Sequence, residues 1–153
     1  MTRADADLAA QVAQLAQQAG RAILEVYDAP NTTDETAKED GSPLTRADLA
    51  AHRVLMEGLQ ELTPNLPVLS EESDEDAFAA RYDWTRYWLI DPLDGTKEFL
   101  NRNGEFTVNV ALIEVGRAGT HDGPGRPVLG VVHVPVTGVT YSGVAGVGAW
   151  RDE

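Results

Sequence analysis

The chain has 153 residues, about the length of one domain. Its 42% hydrophobic and 24% charged residues are ordinary for a globular fold, which argues against disorder, and its uncharged apolar runs are far too short to cross a bilayer. Twelve basic residues against 25 acidic ones leave a formal net charge of −13, which repels long polyanions and disfavours a nucleic-acid groove or a basic membrane patch. A small phosphorylated ligand remains compatible with that charge if divalent cations reverse the local sign. Cysteine is absent, so disulfides, thiolate metal sites and cysteine nucleophiles are excluded together, in keeping with a reducing compartment. The opening Met1-Thr2-Arg3-Ala4-Asp5 leads into an acidic, Gln-rich stretch and shows no secretory signal.

Taken in chain order, Leu8, Val12, Leu15, Ala19, Ala22, Ile23 and Val26 mark one face of an amphipathic helix from about Asp5 to Tyr27. Gly20 inside it costs about 1 kcal/mol relative to Ala, which close packing would explain. The polar stretch from Asp28 to Pro43 reads as a loop. A second helix is expected to begin at Thr45, where Thr45-Arg46-Ala47-Asp48 has capping-box-like spacing. Leu49, Val54, Leu55, Leu59 and Leu62 continue it, and Thr63-Pro64 ends it.

Short β-like runs follow at Val68-Leu69, Tyr87 to Ile90, Phe106 to Val115, Val128 to Val136, Val139 to Ser142 and Val147 to Trp150. Gly116 to Pro127 reads as an exposed connection. This order predicts an α+β layer, two helices packed on a mainly antiparallel sheet. The chain stops just after a strand, and no later element is expected to cover the sheet's other face.

The most informative segment runs from Trp88 to Phe99, where an apolar strand meets Asp91-Pro92-Leu93-Asp94-Gly95-Thr96. Pro92 is expected to block the ladder and turn the chain. Asp91 and Asp94 can converge near the strand's end, Gly95 lets a phosphate approach the backbone, and Thr96 supplies a hydroxyl. A short helix from Lys97 to Asn101 would turn amides toward an anion. Such a turn offers hard oxygen ligands for Mg²⁺, which prefers octahedral oxygen sites at about 2.0–2.1 Å completed by water and phosphate. Two ions about 3.5–4 Å apart could hold the attacking and leaving oxygens of an in-line phosphoryl transfer, with Asp91 as the bridge.

A bare D-x-x-D-G is more often a turn with Asp and Gly placed for backbone reasons. Two flanking clusters raise its significance. Ser70-Glu71-Glu72-Ser73 follows a strand, and Glu71 there suits a third metal ligand, with Glu72 left for water positioning or a neighbouring ion; the alternative is a solvated acidic turn running on through Asp74-Glu75-Asp76. Asp48, in the first turn of the second helix, could accept a hydrogen bond from a hydroxyl such as Thr96, a pair able to polarise a metal-bound water; plain helix capping is the alternative. His52, His121 and His133 lack paired ligand spacing, and no G-x-S-x-G, Walker loop or dinucleotide fingerprint is present.

Together Lys38 to Asp48, Pro67 to Glu72, Trp88 to Phe99, Asn103 to Leu112, Leu129 to Val132 and Gly148 to Trp150 resemble the lithium-sensitive, magnesium-dependent phosphomonoesterase superfamily that includes inositol monophosphatase. Lys97-Glu98-Phe99 and the Asn103 to Thr107 run are more similar to the CysQ-type 3′(2′),5′-bisphosphate nucleotidase branch. The resemblance covers nearly all of the chain except the loop from Gly119 to Arg126. It implies the layered inositol monophosphatase-like sugar phosphatase fold, with residues 1–153 as its N-terminal metal-binding portion and the C-terminal portion absent.

The resemblance also implies two or three Mg²⁺ per site. Glu71, Asp91 and the Leu93 main-chain carbonyl would hold one, Asp91 and Asp94 another, and Glu71 a third, weaker ion. Glu71, Leu93, Asp94, Gly95 and Thr96 would contact substrate, while Thr96 and Asp48 orient the attacking water. The implied reaction removes the 3′-phosphate of adenosine 3′,5′-bisphosphate, giving AMP and phosphate, in a cytoplasmic protein of sulfate assimilation. Peripheral association with the inner face of the cell membrane, a homodimer and dependence on a separate C-terminal half are left open. The alternatives are an inositol-phosphate phosphatase and an inactive metal-binding remnant.

Overall fold

Helix α1 (Arg3–Tyr27) buries Ala9, Val12, Ala16, Ala19 and Ile23 along one face and ends on the buried ring of Tyr27. The computed structural model describes residues 3–29, 42–71, 73, 75–116 and 125–153. The loop expected from Asp28 to Pro43, the Lys38 to Gly41 part of the resembling blocks, Glu72 and His121 therefore lie wholly or largely outside the described residues.

Helix α2 (Pro43–Leu62) starts two residues before the expected Thr45. Its N-cap is Ser42, whose hydroxyl accepts the Thr45 backbone N–H at 3.1 Å. Pro43 occupies the first turn, where a missing N–H has no partner to lose. Thr45 is inside the helix rather than capping it. The buried stripe is Leu44, Ala47, Ala51, Leu55 and Leu59, and Leu49, expected on that stripe, is 58% exposed. The two helices approach closely because Gly58 lies directly against Leu15, with no room for a β-carbon.

Six strands form one sheet in chain order: β1 (Val68–Ser70), β2 (Arg86–Asp94), β3 (Thr107–Glu114), β4 (Arg126–Val134), β5 (Val139–Val144) and β6 (Gly148–Asp152). The β1–β2 pair is parallel and every later pair antiparallel, so the α+β class with a mainly antiparallel sheet is borne out. Helix α1 lies across β3, β4 and β5, and α2 packs on β2. Trp88, Ile90, Val108, Val110, Leu112 and Val131 are among the sheet residues of the core, and Phe106 joins them from just before β3.

A parallel pair needs a crossover, and residues 71–85 provide it. Helix α3 (Glu75–Ala80) and a 3₁₀ turn (Arg81–Asp83) lie in that crossover. The solvated acidic turn considered for this stretch is thus replaced, over Glu75 and Asp76, by the start of a helix. Phe78 and Trp84 pack against Leu69, Tyr87 and Ile113, which point away from α1 and α2. One corner of the far face is therefore covered, by the segment between β1 and β2. Further along that face Val132 and Tyr141, a cross-strand pair, stay 40% and 46% exposed.

Candidate functional site

The parallel ladder runs one step beyond β1, because the Glu71 N–H donates to the Ile90 carbonyl at 3.0 Å. That bond sets Glu71 beside Asp91, which faces Asn109 across β3. Asn109 in turn faces Val132 on β4, so Glu71, Asp91 and Asn109 begin one row across the sheet. Trp88 and Ile90 alternate with Leu89 and Asp91, which puts the first pair in the core and Asp91 on the far face.

In a regular strand residues three apart point to opposite faces, and Asp94 would be turned away from Asp91. The register prevents this. Asp91 pairs with Asn109 and Asp94 with Thr107, so β2 advances three residues where β3 advances two. The extra residue is a bulge, and it returns Asp94 to the face of Asp91. Pro92, which has no N–H to give the ladder, lies within it. Pro92 was expected to end the ladder; instead the strand continues through Asp94, since a bulge tolerates the missing donor.

Past the strand, Gly95 has φ 98° and ψ 55°, a left-handed conformation. A β-carbon there would also meet the Phe106 Cα at 3.2 Å. Helix α4 (Thr96–Leu100) starts immediately, with Thr96 exposed at its first position and Phe99 buried. Phe99 and Phe106 form a cluster with Tyr27 at the end of α1, with centroids 4.9–5.4 Å apart. Arg102 stacks over the Tyr27 ring at 4.4 Å and donates to its carbonyl at 2.9 Å. Through Phe106 this cluster abuts Gly95.

Glu71, Asp91, Asp94 and Asn109 line one end of an open cleft of about 730 Å³ whose other end reaches Tyr141 and Trp150. Asp48, buried on α2, opens on a neighbouring cleft of about 340 Å³ with His52, Ser70 and Ser73. The Leu93 side chain is buried in the core. Among the residues singled out from sequence, then, three carboxylates share one cleft, Asp48 stands behind them, and Gly95 and Thr96 adjoin them along the chain. His133 is buried beneath α1, where its Nδ1 meets Thr140 Oγ1 at 2.8 Å.

The Asp91 carboxyl is pushed up to about 6, chiefly by burial and then by the charges of Asp94, Glu71 and Asp48, against a Leu93 backbone hydrogen bond that stabilises the anion. Like charges held together in this way favour a cation between them. Among the described residues no group of three or more His, Cys, Asp or Glu side chains is disposed to hold a metal ion by itself. Mg²⁺ takes one or two carboxylates and fills its shell with water and phosphate oxygens.

Asn109, which lines the cleft, and Thr107, on the same face of β3, were not singled out by the sequence. Asn109 Nδ2 donates to Asp94 Oδ2 at 3.0 Å, and Thr107 Oγ1 donates to Asn109 Oδ1 at 3.0 Å. Their signal was the alternation Thr107-Val108-Asn109-Val110, which sets two polar side chains on one face of an otherwise apolar strand.

The chain belongs to the inositol monophosphatase family, whose profile matches residues 5–153. It is 54% identical over 143 residues to the 3′(2′),5′-bisphosphate nucleotidase CysQ of Escherichia coli strain K12, covering 94% of this chain and 54% of that protein. The crystal structure of CysQ from Bacteroides thetaiotaomicron, a bacterial member of the same family, superimposes with a TM-score of 0.81 at 44% identity, over 96% of this chain and 49% of that one. An inositol monophosphatase from Zymomonas mobilis is similar at 28% identity with a TM-score of 0.73, over 99% of this chain and 52% of that one. The chain spans about half the length of the relatives it matches.

Proposed function

We propose that residues 1–153 form the N-terminal, metal-binding portion of a magnesium-dependent 3′(2′),5′-bisphosphate nucleotidase. The reaction is hydrolysis of the 3′-phosphate of adenosine 3′,5′-bisphosphate: water adds at phosphorus, the ribose oxygen leaves, and AMP and inorganic phosphate result. The observation that carries this reading is the gathering of Glu71, Asp91 and Asp94 in one cleft, with Asp91 pressed by its acidic neighbours. The identity to nucleotidases supports the choice of substrate.

Glu71, Asp91 and the Leu93 carbonyl would hold one Mg²⁺, and Asp91 with Asp94 another. When bound, the ions neutralise phosphate charge and make water acidic enough to react near neutral pH. Gly95 leaves the backbone open to the scissile phosphate and Thr96 offers it a hydroxyl. Thr96 and Asp48 orient the attacking water, and Asp48 is suited to take its proton. The reading includes a cytoplasmic location; no helix among the described residues is long and apolar enough to cross a membrane.

The test is phosphate release from adenosine 3′,5′-bisphosphate by the complete gene product, with and without Mg²⁺. Release that requires Mg²⁺ is expected, and none under either condition rejects the proposal. Likeness to the Zymomonas mobilis protein favours inositol monophosphate as the competing substrate. Faster turnover of that compound than of the nucleotide would replace the first reading with the second.

A further inference from the structure

We propose that Asn109 is a positioning residue that orients Asp94 for cation binding; this rests on the reading of the site given above. Strand β3 alternates Val108, Val110 and Leu112 into the core with Thr107, Asn109 and Ala111 toward the cleft. Two of these cleft-facing residues are polar, and both stand at the end where the carboxylates gather. The backbone of Asn109 is already paired on both sides, opposite Asp91 on β2 and Val132 on β4. Its side chain is therefore not needed to hold the strand.

The two hydrogen bonds fix its direction. An ionised carboxylate only accepts, so the amide must turn its NH₂ to Asp94 Oδ2, and the contact is 3.0 Å. The amide oxygen then faces Thr107, whose hydroxyl donates to it at 3.0 Å. Thr107 thus sets the amide and the amide sets the carboxylate. Asp94 is exposed at the end of β2, and without such a bond its side chain would have to be ordered at the moment a ligand arrives. The bond takes up Oδ2 and leaves Oδ1 for a cation. An amide does this without adding another negative charge to Glu71, Asp91 and Asp94.

The test is a calorimetric Mg²⁺ titration of the complete gene product and its variants, with melting temperature and turnover recorded beside it. Asn109→Ala is expected to weaken Mg²⁺ binding about 10–100-fold while the metal-free melting temperature stays in place. Turnover should fall at low Mg²⁺ and recover at high Mg²⁺, a rescue that a merely structural defect would not show. Thr107→Val, which keeps Asn109 but frees its amide, should lose part of the same affinity, and it carries the test if Asn109→Ala does not fold. Wild-type Mg²⁺ affinity in whichever variant carries the test, or lost turnover that high Mg²⁺ does not restore, overturns the role of Asn109 alone. A wild-type protein that binds no Mg²⁺ overturns the reading of the whole site, and this role with it.

Discussion

Gly20 of α1 and His133 of β4 are in such close contact that a β-carbon on the glycine would lie 2.7 Å from the imidazole Cδ2 and 2.8 Å from Nε2. In an open helix, replacing Gly by Ala gains about 1 kcal/mol. Here the methyl group must displace a buried ring, with Pro135 Cγ only 3.3 Å away on another side. Gly20→Ala is therefore expected to destabilise the fold by about 1–3 kcal/mol in urea titration. Gly20→Ala combined with His133→Ser, which removes the ring, should recover most of the loss.

Burial, reinforced by the charge of Arg21, holds the His133 imidazole below its ordinary pKa of 6.5, against a hydrogen bond to the Val139 backbone that favours the charged form. The unfolded chain then binds a proton near pH 6.5 that the folded chain still refuses. Stability contributed by His133 is complete above pH 6.5 and is lost as pH falls toward the depressed folded value. Asp91, with its carboxyl raised to about 6, acts with the opposite sign in the same range. The comparison that isolates the histidine is thus wild type against His133→Gln. Chemical denaturation between pH 7 and pH 5 should show a smaller decline, or a larger gain, in the variant.

The indole N–H of fully buried Trp88 donates to Thr63 Oγ1 at 2.8 Å, and that hydroxyl donates onward to the Leu59 carbonyl at 2.9 Å. One threonine therefore closes α2 and satisfies the largest side chain of the core. Thr63→Val keeps the shape but leaves the indole without an acceptor. The expected cost is about 1–3 kcal/mol, seen as a lower urea midpoint with an unchanged slope. Thr63→Ser should be nearly neutral.

Asp91→Asn separates stability from function. It removes a carboxylate crowded by Asp94, Glu71 and Asp48, so the metal-free protein should melt at a higher temperature than wild type. Phosphate release by the complete gene product should fall by more than the roughly 10–100-fold expected for an outer hydrogen-bond partner. A lower melting temperature, or activity within about tenfold of wild type, would contradict the assignment of Asp91.

Helix α1 was legible because its apolar steps run unbroken from Leu8 to Val26, and β3 because Thr107 to Leu112 alternates so regularly. The close packing inferred at Gly20 is what the structure shows. Asp91 and Asp94 stood out by residue type, but the face they share depends on a bulge. A bulge is a property of pairing with β3 and is invisible in β2 alone. The start of α2 was misplaced by two residues, although Ser42-Pro43 already carried the signal of a capping hydroxyl followed by proline at the first helical position. Helix α3 was hidden for a different reason: its acidic first turn reads as solvated loop, and its stability comes from Phe78 docking on Leu69 and Tyr87. Local sequence does not encode that docking.

The cluster of Tyr27, Phe99 and Phe106 has a consequence for the order in which this molecule becomes organised. Arg102 meets Tyr27 across 75 residues of chain, and closing so long a span is slow compared with winding a helix. The first helix can therefore mature early, while the turn that carries Gly95 and Thr96 settles only after both ends of that span have met. Until Phe106 joins Tyr27 and Phe99, the Gly95 turn lacks the backbone that packs against it.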